Sequence, residues 1–163
     1  MTGKPPAPPD TASNSPVDIT IRDARPDDIA LIRRWILRER LDVSSLKWQN
    51  FLVAEHQGKV VGFGQVKQHP GTAKELASLV THPDYRGQQV ASRIIQALEA
   101  RHSLPLYLMC NAPLKAFYST NGYEVIGWRD LPAFIRLRYT AALALRLFGI
   151  RVLAMRKTEN PSP

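Results

Sequence analysis

His82-Pro83-Asp84-Tyr85-Arg86-Gly87-Gln88-Gln89-Val90-Ala91-Ser92 lies between an apolar run that reads as a strand and an amphipathic run that reads as a helix. Before it, Leu76, Ala77, Leu79 and Val80 fit a half-buried strand. After it, Val90, Ile94, Ala97 and Leu98 recur at helical spacing on one face. The first backbone N–H groups of a helix have no intrahelical partner and sit at the positive end of its dipole. A turn at that point with Arg86 for charge and Gly87 for close backbone approach suits a pyrophosphate.

This stretch resembles the acyl-CoA cradle of the GNAT superfamily of N-acetyltransferases: Arg or Gln, two residues, Gly, one residue, then Gly or Ala. The frame here is Arg86-Gly87-Gln88-Gln89-Val90-Ala91. Its first and last positions fit, and Gln89 stands where the family usually has glycine. A side chain there either crowds the pyrophosphate or donates a hydrogen bond to it, and the sequence leaves both open. Downstream, Asn111, Phe117, Tyr118, Gly122 and Tyr123 fill the family's second frame, Asn-x-x-Ala-x-x-Phe-Tyr-x-x-x-Gly-Phe/Tyr, with Leu114 replacing the small residue. The two frames come in the family's order, and the resemblance runs over roughly residues 17 to 157.

A chain of 163 residues with 44% hydrophobic content suffices for one domain around one core. No apolar run is long enough to span a bilayer, and the first residues lack a signal-peptide pattern, so a cytoplasmic location is the default expectation. The single cysteine, Cys110, has no internal disulfide partner. A formal charge of +8 favours anionic partners, including a polyphosphate cofactor, although solvated helix surface is the plainer account of much of it. Neither a helix-turn-helix spacing nor an arginine-aromatic platform stands out, so no sequence-specific nucleic-acid binding is expected.

Residues 1 to 16, crowded with proline, read as a disordered tail, residues 17 to 157 as one domain, and residues 158 to 163 as a flexible end. Val17 to Arg22 reads as the first strand, and Pro26 opens a helix with Ile29, Ile32 and Ile36 inward. Phe51 to His56 and Lys59 to Lys67 form a hairpin around Gln57-Gly58, and Gly62 and Gly64 mark a bulge or a close backbone approach. His69 reads as a loop residue beside Pro70-Gly71. Glu75 to Thr81 is the fourth strand, and Leu104 to Cys110, almost wholly apolar, is a central fifth. A short helix over Leu114 to Thr120, a strand from Tyr123, a helix from Pro132 to Gly149 with Phe134, Leu137, Ala141, Leu145 and Phe148 inward, and a strand from Ile150 complete the chain. The expected fold is α/β: a twisted mixed β-sheet flanked by helices.

The resemblance implies acyl transfer from acetyl-CoA to a primary amine of an unidentified acceptor, with no metal. It implies that Arg86, Gly87, Gln88, Gln89, Val90, Ala91 and Ser92 hold the pyrophosphate, while the backbone of Leu79 and Val80 bonds the pantetheine arm as an added strand would. Asn111 hydrogen-bonds the arm, or is a plain turn asparagine. Tyr118 protonates the departing thiolate, or is a buried structural tyrosine. Glu75 removes the amine proton, or is an exposed edge carboxylate. Residues 41 to 48, including Trp48, lie near the acceptor by analogy, and a homodimer is compatible with the pattern. The competing readings are a catalytically silent acyl-CoA-binding module and a basic protein associated with RNA or a membrane.

Overall fold

The structure, a computed structural model, describes residues 18–159. The expectations for residues 1 to 17 and for 160 onward lie outside the described residues. Seven strands form one sheet in the order β1-β2-β3-β4-β5-β7-β6. They are β1 (Thr20–Asp23), β2 (Phe51–His56), β3 (Lys59–Gln68), β4 (Lys74–Thr81), β5 (Leu106–Asn111), β6 (Glu124–Val125) and β7 (Val152–Lys157). The helices are α1 (Asp28–Arg38), α2 (Val90–Arg101), α3 (Lys115–Thr120) and α4 (Ala133–Leu143). This is the single mixed α/β domain that the alternation of strand and helix periods predicts.

Two apolar layers cover the sheet. On one face Val90, Ile94, Ile95 and Leu98 of α2 pack on Leu52, Ala54, Val66, Leu76, Leu106 and Leu108, joined by Tyr118 and Tyr123 from the α3 region. On the other face α1 contributes Ile32, Trp35 and Ile36 against Phe51, Val53, Phe63 and Val80. Further along that second face, Leu131 and Ile135 cover Tyr107 and Ala154. Gly62 and Gly64 let α2 come close to β3. A Cβ on Gly64 would stand 3.0 Å from Ile94 Cγ2 and 3.1 Å from Leu79 Cδ1. The β3–β4 register slips between Phe63 and Gln65, so both readings of the paired glycines, bulge and close approach, hold.

Every neighbouring pair of strands is antiparallel except β4 and β5, which run parallel and pair at Glu75↔Tyr107. Beyond that point toward their C-terminal ends the two strands part. Their divergence is what places a crevice in the middle of an otherwise continuous sheet.

Two expectations fail in detail. Pro26 stands in the turn ahead of α1, whose first residue is Asp28. More consequentially, α4 turns a different side inward: Ile135 is fully buried, while Leu137 and Phe148 are 70% and 79% exposed and Phe134 is 37% exposed. Apolar residues occur on most sides of this helix, so spacing alone does not single out the buried one. Packing decides it, through Ile135 on Tyr107 and through the Tyr139 hydroxyl, which donates to Val152 O at 3.2 Å. The helical stretch also changes to a 3-10 turn at Ala144–Phe148, and the Leu145 side chain lies outside the described residues.

Candidate active site

A cavity of about 390 Å³ opens where β4 and β5 separate. Leu79 and Thr81 form its β4 wall, the turn from Tyr85 to Gln89 and the start of α2 its floor, and Leu114, Phe117 and Tyr118 the wall that follows β5. Arg86, Gly87, Gln89, Val90, Ala91 and Ser92 all line it. Gln88 does not, since its side-chain amide donates to Asp84 O at 3.1 Å and closes the turn from behind.

The turn is shaped to present main-chain donors. Gly87 has φ +77° and Gln89 φ +60°, two left-handed residues flanking Gln88. No atom lies within 4 Å of where a Cβ on Gly87 would stand, so the backbone there is open to close approach. The first helical bond of α2 runs from Arg93 N–H to Gln89 O at 3.0 Å, which leaves the N–H groups of Val90, Ala91 and Ser92 without partners four residues back. Gln89, where the resemblance expects glycine, therefore has left-handed geometry, and its side chain costs roughly 1 kcal/mol of strain there. Arg86, whose side chain is 60% exposed, reaches only a loose ion pair with Glu39 at 3.9 Å and keeps its guanidinium near solvent.

Thr81 Oγ1 is buried on the β4 wall with no partner among the described residues, an atom in need of a hydrogen bond inside the cavity. Tyr118 is 8% exposed, packs at 5.0 Å from the Phe117 ring and 6.1 Å from the Tyr123 ring, and lines the same cavity. Burial, reinforced by nearby Cys110, pushes its phenol well above the ordinary tyrosine range, so it keeps its proton across neutral pH. Cys110 is buried beside it, and burial pushes its thiol up to about 11, far from a ready nucleophile. Val80 turns its side chain into the α1 layer, and Asn111 ends β5 exposed and in register with Val152; neither lines the cavity.

Glu75 stands at the closed end of the crevice, four residues before Leu79 along β4, or roughly 13 Å. It is 4% exposed, which removes the reading of an exposed edge carboxylate. Its Oε2 accepts from His69 Nε2 at 2.6 Å and from Arg138 at 3.1 Å. His69 in turn stacks on Phe134, the ring centroids 4.8 Å apart. Around this pair sit the nearly buried Lys67, which is Glu75's register partner on β3, and Asp42 from the segment after α1. Sequence reasoning placed Asp42 only within the stretch 41 to 48 near the acceptor, read His69 as a loop residue, and gave Lys67 and Arg138 no site role. Of these only Lys67 carried a signal, as a charged residue inside an otherwise core-facing strand.

A family model described as an acetyltransferase (GNAT) domain matches residues 47–125. No curated protein matches the sequence. Among solved structures, N-acetylglutamate synthase from Neisseria gonorrhoeae, complexed with coenzyme A and N-acetyl-glutamate, is similar with a TM-score of 0.69 at 17% identity. The match covers 87% of this chain and 35% of the synthase, so this chain spans about a third of that protein's length. Rv2747 from Mycobacterium tuberculosis, in complex with CoA, is similar with a TM-score of 0.69 at 17% identity over 86% of this chain and 99% of its own. A Klebsiella pneumoniae protein assigned as an acyl-CoA N-acyltransferase has a TM-score of 0.57 at 26% identity, covering 86% and 97% of the two chains.

Proposed function

We propose that this chain is a GNAT-type N-acetyltransferase that moves an acetyl group from acetyl-CoA to a primary amine by direct attack, a reading supported by the acetyltransferase (GNAT) family model that matches residues 47–125. Residues 17 to 157 form the catalytic domain. The observation that carries the reading is the crevice between β4 and β5, floored by partnerless α2 amides and walled by a neutral tyrosine.

The residues fit the cosubstrate. Arg86, Gly87 and the backbone of Gln88, Gln89, Val90, Ala91 and Ser92 receive the pyrophosphate, and the diverging edge of β4 at Leu79 and Val80 bonds the pantetheine arm, with Thr81 Oγ1 beside it. Asn111, at the end of β5, bonds the arm from the opposite side of the crevice. The thioester supplies an activated acyl carbon. The acceptor nitrogen bonds to that carbon, the carbon–sulfur bond breaks, and the sulfur leaves with the electron pair. Tyr118 gives its phenolic proton to that sulfur, and Glu75, paired with His69, takes the proton lost by the amine through intervening water.

Acetyl-CoA at saturating concentration should raise the melting temperature, because it binds the folded cradle and not the unfolded chain. An unchanged melting temperature overturns the proposal. An amine panel read by free-thiol release and product mass then tests turnover. Gln89, strained at the mouth of the cradle, is the feature that favours the alternative of a silent acyl-CoA-binding module. That alternative predicts a melting shift with no thiol release for any amine.

A further inference from the structure

The cluster at the closed end of the crevice is completed by a residue that stands outside its framework. Lys67 is fixed in β3 and Arg138 in α4, whereas Asp42 belongs to the exposed segment between α1 and β2. Asp42 Oδ2 nevertheless accepts from both cations, from Lys67 Nζ at 2.9 Å and from Arg138, while Ser44 braces it through its hydroxyl and its backbone N–H. Lys67 is 3% exposed, and a lysine that deep persists with its charge met. The one anion that the described residues give it arrives on a surface loop. With Asp42 withdrawn, the two cations Lys67 and Arg138 face the single carboxylate of Glu75, a net charge of +1 before any on His69.

We infer that Lys67 and Arg138 form a carboxylate subsite which Asp42 fills in the resting protein, and that the acceptor is a small primary amine bearing a carboxylate, a molecule of the amino-acid class. This rests on the acyltransferase reading above. Gln65 strengthens it. It lies two residues before Lys67 on the same face of β3, roughly 7 Å away. Its Nε2 donates to Ser78 Oγ at 3.0 Å, and its Oε1 is buried with no partner among the described residues. An acceptor with its carboxylate on Lys67 and Arg138 would place its amine toward that oxygen, next to Ser78 and hence next to Leu79 at the cavity. Two neighbouring cations also favour the unprotonated amine, the form that attacks. A polycationic acceptor fits poorly, because both carboxylates of the cluster already face cations and release of Asp42 leaves a positive excess.

The test runs the full chain with acetyl-CoA against the proteinogenic L-amino acids, each beside its α-carboxamide, with free thiol as the readout and the acetyl-CoA melting shift recorded in parallel. At least one acid should exceed its amide tenfold or more in kcat/KM, chiefly through KM. Arg138→Met should erase that ratio, Lys67→Met should do the same, and Asp42→Asn should raise it by lowering the KM of the acid. Arg138 is partly exposed and Asp42 sits on a surface loop, so these two variants decide the matter if Lys67→Met does not fold. Equal use of acids and amides, equal loss of both in Arg138→Met, or turnover of none of the panel overturns the inference. The melting shift reports separately whether the acyltransferase reading stands.

Discussion

At its C-terminal end β4 runs into a cavity whose polar groups are mostly main chain, the partnerless amides at the start of α2 and the left-handed turn before them. At its other end Glu75 bonds His69, from the turn before β4, and Arg138 on α4, and Arg138 shares Asp42, from the segment after α1, with Lys67 on β3. The first end needs a short run of consecutive residues with particular backbone torsions. The second needs residues far apart in sequence to converge, and any of several charge arrangements would satisfy the same burial. Under the proposed function, the first end takes the ligand common to every turnover and the second takes the acceptor.

The sharpest way to break this division is Tyr118→Phe. Phe keeps the ring packing on Phe117 and Tyr123, so stability and acetyl-CoA affinity should change little, while turnover falls by roughly 10²–10⁴-fold. Loss of acetyl-CoA binding instead would move Tyr118 into the cradle; intact turnover at every pH would remove it as the acid. Next in size is Gly64→Ala, whose new methyl would meet Ile94, Leu79 and Leu98 at 3.0–3.3 Å. Overpacking of this kind costs about 1–3 kcal/mol in denaturant unfolding. No loss would mean that α2 yields freely, and with it the cradle at its start.

Arg86→Ala should weaken acetyl-CoA roughly tenfold by calorimetry, a modest effect because the guanidinium is largely solvated. Unaltered affinity would place the pyrophosphate elsewhere. Gln89→Gly should raise stability by up to about 1 kcal/mol through relief of the left-handed strain, offset in part by the entropy of glycine. Its effect on affinity sorts the two roles of the side chain, since tighter binding indicates crowding and weaker binding a donated hydrogen bond.

The smallest effect belongs to the cluster around Glu75. Burial alone would raise the Asp42 carboxyl, but the Ser44 hydroxyl and N–H and the Lys67 ammonium together hold it below the ordinary carboxylate range. A depressed pKa contributes stability above the unfolded value, about 3.9, and that contribution is lost as pH falls toward the folded value. Asp42→Asn should therefore show a shallower loss of melting temperature below about pH 4 than the parent. Identical acid slopes would show that the ion pairs of Asp42 add nothing to the folded state.

How much of this was legible follows from the same contrast. The element order is a local pattern and survives in the structure, and the turn from Arg86 to Ser92, Gln88 apart, lines one cavity with Tyr118. The inward face of α4 was misread because Leu137 and Phe148 are as apolar as Ile135, and only contact with Tyr107 separates them. His69 read as a loop residue because nothing in its neighbours announces Glu75 six positions away, which the turn through Gly71 brings back beside it. Glu75's other partner, Arg138, lies 63 positions after it, and Asp42, which accepts from Arg138, lies on a loop ahead of β2, both beyond the reach of any periodicity.

The position of β7 between β5 and β6 has a consequence for synthesis. Translation proceeds at about 5–20 residues per second, so the stretch from Val125 to Val152 takes roughly one to five seconds to emerge. During that time the edge of β5 that later pairs with residues 152–157 is open, with Leu106 and Leu108 on it. Unpaired apolar edges template association between nascent chains. Leu131 and Ile135 are made within the same interval and can lie over Tyr107, so α4 would guard one face of the unfinished sheet until its last strand arrives.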